Sequence, residues 1–183
     1  QDSWKPALLE DHGNKIAFVG CNRPDVGSRL VANEVHPGAA PCDYEVLTQK
    51  ISQLHDAGYL VISTFQYYES YDPIPYPVQY EDFRLMVDSG ADVVSGSQAH
   101  LPQIMEFRRD SFIHYGLGNL FFDQMDIPTH GTRREFADRY VVYDGRLVSV
   151  QLITMMLEDF SRPRLMTEAE RNTFLNDYFT KSG

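Results

Sequence analysis

Three short polar stretches bring together residue types that could do chemistry: Gly20-Cys21-Asn22-Arg23, Gln66-Tyr67-Tyr68-Glu69 and Ser95-Gly96-Ser97-Gln98-Ala99-His100. An imidazole titrates near neutrality and is a common metal ligand. His100 follows an apolar run by a short glycine-containing segment. From there it can be aimed at a ligand or metal, or simply bond a backbone carbonyl. Glu69 reads as a general base, a metal carboxylate or a solvated loop residue. Asn22, Gln66, Ser97 and Gln98 offer amides and a hydroxyl to a ligand. Gly116-Leu117-Gly118-Asn119 either brings backbone amides close to an anion or makes a tight bend. His114, between Ile113 and Tyr115, reads as a core histidine or a support for a ligating group. Asp123, after two phenylalanines, either orients an imidazole or stands alone at a strand end. Phe65, Tyr67, Tyr68, Tyr71, Tyr76 and Tyr80 could stack a sugar or peptide, or pack as core and lid. His12, His36, His55 and His130 fall in expected loops or on an exposed helix face and receive no role.

These stretches share a rim only if the elements before them are parallel strands. Lys15 to Cys21 reads as a buried strand. Asp43 is a good N-cap for a helix from Tyr44 to Ala57, with Val46, Leu47, Ile51 and Leu54 at helical spacing and Gly58 as its stop. Tyr59 to Phe65 reads as a strand, Gln79 to Ser89 as an amphipathic helix carrying Phe83, Met86 and Val87, and Asp92 to Val94 as a third strand. The three polar stretches are then loops beyond the carboxyl ends of the strands, where open α/β sheets bind ligands. Ile104 to Phe107, Phe112 to Tyr115, Arg139 to Tyr143 and Leu147 to Leu157 read as further strands joined by short turns, with Asp144-Gly145 as a hairpin signal. Thr167 to Glu170 is a capping box opening a last helix that packs through Phe174, Leu175 and Tyr178. The expectation is one mixed sheet: a βαβαβ part over 15–100, antiparallel strands over 101–160 and a C-terminal helix over 165–180, in a single α/β unit.

Composition narrows the partners. Sixteen Lys and Arg against 26 Asp and Glu give a formal charge of -10, the opposite of what tracking nucleic-acid phosphates or anionic lipid requires. The chain is 43% hydrophobic and 23% charged, as globular domains are. No run reaches the roughly 20 apolar residues that span a bilayer. The two cysteines, Cys21 and Cys42, both read as loop residues, and they form one disulfide or stay two thiols. They lack the spacing of a zinc site.

At the polar stretches the sequence resembles the bacterial capsule-synthesis family called CapA or PgsA, linked to poly-γ-glutamate capsules. Gly90-Ala91-Asp92-Val93-Val94-Ser95-Gly96-Ser97-Gln98-Ala99-His100-Leu101-Pro102-Gln103 is similar to the family's G-A-D-x-V-x-G-H-H-P-H-x-x-Q. Tyr115 to Asp123 resembles Y-S-L-G-N-F-V-F-D, and Glu69, Tyr71, Pro73, Pro75 and Pro77 resemble S-I-H-W-G-x-E-Y and the proline-rich stretch after it. The resemblance covers about 15–144. It implies the αββα sandwich of calcineurin-like metallophosphoesterases with a two-metal site, carried here onto His100, Glu69, Asn119 and Asp123, with Gln66 as a further oxygen donor. The chain departs from the family where Phe65 and Gln66 stand in place of the S-I-H-W-G histidine, and where Ser97 and Gln98 replace both inner histidines of G-H-H-P-H. An amide oxygen does not match imidazole for zinc. The resemblance therefore implies a weakly held divalent metal (Mn, Zn or Mg) and a degenerate site. The family's N-terminal motifs are absent and the chain opens on Gln1, which implies the C-terminal half of a longer domain. The expected role is capsule biosynthesis at the cell envelope or outside it, with capsule polymer or other capsule-synthesis proteins as partners; a metal-dependent hydrolase and a plain binding module are the alternatives.

Overall fold

The computed structural model describes residues 2–23, 30–123 and 131–182. Its first sheet has six strands: β1 (Ala7–Asp11), β2 (Asn14–Asn22), β3 (Leu60–Ser70), β4 (Val93–Ala99), β5 (Met105–Arg108) and β6 (Ser111–His114). Their order is β1-β2-β3-β4-β6-β5, with β2, β3, β4 and β6 parallel and β1 and β5 antiparallel at the edges. The first four residues of β3 are all buried, as expected of a central parallel strand covered on both faces.

Two helices cover one face. In α1 (Tyr44–Asp56) the Asp43 carboxylate accepts from the Val46 amide, satisfying one of the free N–H groups of the first turn. α2 (Pro77–Asp88) starts on a proline, whose fixed φ suits the first helical position. Leu47 and Ile51 of α1 and Phe83, Met86 and Val87 of α2 join Val61, Phe65 and Val94 in the main core.

The other face packs on a second sheet, and here the single mixed sheet is corrected. β7 (Arg134–Tyr143), β8 (Arg146–Glu158) and β9 (Arg162–Leu165) form a separate antiparallel sheet of three strands. Tyr140, Val142, Leu147, Val150 and Leu152 bury themselves against Leu60, Ile62, Val93 and Phe112, so two apolar faces cover each other in a sandwich. Asp144 and Gly145 both take positive φ, 52° and 71°, the backbone that a two-residue hairpin between β7 and β8 demands. α3 (Glu168–Ser182) opens on the Thr167–Glu170 capping box and packs Phe174 and Tyr178 on Phe136 and His114, at the seam between the sheets.

The three rim stretches are also corrected, because they are strand ends rather than loops. Asn22 pairs with Gln66, and Gln66 with Ser97, so parallel pairing continues past the apolar runs. Backbone hydrogen bonding does not need apolar side chains, and hydropathy therefore marks these strands as ending too early. Cys21, inside β2, is disulfide-bonded to Cys42. β1 and β9 lack an apolar pattern strong enough to announce them, and β1 is exposed at all five residues.

Candidate functional site

The site is built at the carboxyl ends of β3 and β4 and in the turn after β6. Gln98 takes φ 80°, uncommon for a non-glycine residue, next to the register break between Gln66 and Ser70. Beyond it the His100 amide donates to the Ser70 carbonyl (2.8 Å), which brings the imidazole beside the end of β3. His100 is 4% exposed. Its Nδ1 lies 2.9 Å from Asn119 Oδ1 and its Nε2 3.0 Å from Glu69 Oε1. Tyr71 stacks on the ring and donates to Glu69, and Phe122 lies against it at 4.8 Å.

These contacts set the tautomer. Asn119 Nδ2 donates to the Thr132 carbonyl (3.2 Å), so the Asn119 oxygen faces His100. An amide oxygen only accepts, and Nδ1 must carry a proton. In a neutral ring Nε2 then turns a lone pair toward a carboxylate. Only a shared proton or a cation makes that approach favourable.

Asn22, Gln66 and Ser97 line an adjoining cleft of about 350 Å³, together with Thr64, Ser95 and Leu117. Ser97 Oγ donates to Gln66 Oε1 (2.7 Å), and no charged side chain lines the cleft among the described residues. The structure thus brings Glu69, His100 and Asn119 into one cluster and Asn22, Gln66 and Ser97 around one cleft. His114 lies elsewhere, fully buried between the sheets, with Nδ1 2.7 Å from Asp138 Oδ2. Asp123 is exposed. His12 pairs with Asp11 at the surface, and His130 lies outside the described residues.

The supporting frame was not anticipated from sequence. Buried Gln103 donates to the Asp72 carbonyl (3.1 Å), and buried Gln79 donates to Gln103 Oε1 (3.1 Å) and to the Tyr115 carbonyl (2.9 Å). These bonds lock the segment after Glu69 to that after His100. Gln79 shares a helix face with Phe83, and that spacing was the available signal. At the other end of the rim, Arg23 donates to Tyr44 Oη (3.2 Å) and Tyr68 Oη (2.9 Å), while Asp82 accepts from Tyr67 (2.6 Å) and Tyr44. Burial first, and then Asp82, pushes the phenols of Tyr44 and Tyr67 well up.

As a metal centre, His100 Nε2 and Glu69 Oε1 offer two donors. No group of three or more His, Cys, Asp or Glu able to hold a metal occurs among the described residues. The described residues do not fit a dinuclear site.

The fold has counterparts among solved structures. It matches a protein assigned as a 5'-nucleotidase from Staphylococcus aureus at TM-score 0.52 and 11% identity, over 94% of this chain and 33% of that one. It matches a hypothetical protein from Thermus thermophilus at TM-score 0.52 and 15% identity, over 84% of this chain and 62% of that one. The architecture is metallophosphoesterase-like. In sequence, the chain is 32% identical over 118 residues to the capsule biosynthesis protein CapA of Bacillus anthracis, and 32% identical over 114 residues to the PGA biosynthesis protein CapA of Bacillus subtilis. Each match takes in 62% of this chain, but the chain spans only 28% and 30% of those relatives. Residues 1–124, which carry the whole six-stranded sheet together with Glu69, His100 and Asn119, match the family model of the bacterial capsule synthesis protein PGA_cap, and the chain belongs to that family.

Proposed function

We propose that this chain works in capsule assembly at the bacterial cell envelope, holding the capsule polymer or another capsule-synthesis protein without turning substrate over. The observation that carries this reading is the cleft beside His100, where Gln66 and Ser97 hydrogen-bond to each other. Amides and hydroxyls without charge suit a polymer that repeats an amide, such as a poly-γ-glutamate, whose carboxylates can stay in water. The relatives named for capsule and PGA biosynthesis supply the polymer class. Among the described residues no helix is long and apolar enough to cross a membrane.

Calorimetric titration with an oligo-γ-glutamate tests this. Saturable binding is expected, weakened about tenfold by Gln66→Ala combined with Ser97→Ala, the loss of one or two hydrogen bonds. No binding by the wild type, or steady release of free glutamate, overturns it.

The second reading is a metal-dependent hydrolase, favoured by the approach of His100 Nε2 to Glu69. A manganese, zinc or magnesium ion there would be weakly held, since two donors are fewer than such ions require. Hydrolysis of an aryl phosphate that His100→Ala abolishes would put this reading first.

A further inference from the structure

Glu135 is 1% exposed, and neither of its carboxylate oxygens has a hydrogen-bond partner. Buried polar groups in folded proteins are nearly always paired, so an orphaned carboxylate calls for a physical account. It is the second residue of β7, opposite Met155 of β8. Its backbone also bridges Gly118 in the turn after β6, and the next amide, that of Phe136, donates to the Leu117 carbonyl (2.8 Å). The turn has no slack. Gly118 sits at φ 87°, and a Cβ there would lie 2.5 Å from the Arg134 carbonyl oxygen. Asn119 follows directly and holds His100 Nδ1. Two backbone steps and the Asn119 side-chain hydrogen bond connect Glu135 to the imidazole.

No described charge compensates an ionised Glu135. Met155 and the Gly118 turn are uncharged. Arg133 directs Nε to the Leu157 carbonyl, and Arg134 lies over the Phe174 ring with Asp177 at 3.7 Å. Through Asn119 the turn leads to His100 and Glu69, which already engage each other. A buried charge without partners is strongly disfavoured.

We propose that Glu135 is a positioning residue for the His100 centre: its neutral carboxyl lets the Gly118 bridge close and seats Asn119 on His100, and its ionisation opens the bridge and releases Asn119. This goes beyond the binding role proposed above and does not rest on it. Burial pushes the carboxyl from 4.5 up to about 7. The folded group therefore keeps its proton to higher pH than the opened one. Closure is at full strength below the ordinary carboxylate range, weakens as pH rises toward about 7, and is flat above it. The whole change in the closing equilibrium is on the order of a few hundredfold.

Amide hydrogen exchange on the full chain tests this, with protection factors corrected for the intrinsic pH dependence of exchange. Protection of the Phe136 amide should fall at least about tenfold between about pH 5 and about pH 8 in the wild type, while amides of the β2–β3 pairing hold. Glu135→Gln, or Glu135→Met should the first variant not fold, should hold Phe136 protection flat over that range. A wild type with no fall, or variants that fall as the wild type does, overturns the proposal.

Discussion

What His100 can do depends on what its two nitrogens face. Asn119 presents an oxygen to Nδ1 because its own amide nitrogen is committed to the Thr132 carbonyl, and so Nε2 is the nitrogen turned toward Glu69. Both Asn119 and the imidazole are buried. Asn119→Ala removes the acceptor from buried Nδ1 and is expected to cost about 1–3 kcal/mol. Thermal unfolding should show a midpoint lowered by a few degrees, in line with the roughly 2–4 °C per kcal/mol of a chain this size. An unchanged midpoint would mean that water replaces the amide without loss. His100, Glu69 and Asn119 were legible as candidates from residue type and motif. The orientation of the Asn119 amide was not, because it depends on Thr132, which lies past a segment with no pattern linking the two.

Local elements followed local chemistry. The Asp43 cap, the Asp144-Gly145 hairpin and the Thr167–Glu170 box each involve groups within a few residues, and each stands in the structure as expected. The ends of β3 and β4 did not follow, since their pairing is supplied by the neighbouring strand. The Cys21–Cys42 bond ties the C-terminal end of β2 to the residue just before the α1 cap, across a sequence separation of 21. Closing a loop of that length in the unfolded chain is worth about 3 kcal/mol. Replacing both cysteines with serine should therefore lower the unfolding free energy by about that amount in a urea titration. A loss below about 1 kcal/mol would show that the unfolded chain gains little freedom from the cut.

At the scale of the molecule, the sandwich supplies a frame that gathers the candidate residues on one rim. The frame is metallophosphoesterase-like, yet among the described residues its rim gathers one histidine and one carboxylate where a dinuclear centre needs more. We expect purified protein to carry well under one tightly held transition metal per chain. Elemental analysis after gel filtration checks this, and one or more equivalents of zinc or manganese surviving dialysis would contradict it. The chain spans about three tenths of its capsule-synthesis relatives, so the measurement is best repeated on the longest available form of the protein.

By itself the sequence determined the helices with their caps, the parallel half of the large sheet, the place of the rim and the family motifs. All of these rest on contacts between near neighbours or on ordered strings of residue types. Tertiary structure alone decided that β7 to β9 form a second sheet, that Cys21 pairs with Cys42, and that Glu135 is buried without a partner. It also decided which polar residues meet: Glu69 and His100 are 31 residues apart in the chain, and His100 and Asn119 are 19 apart. The physical reason is the same in each case. Hydrophobic period and capping are properties of a few consecutive residues, whereas burial and side-chain pairing are set by strand order and register, which bring distant segments together.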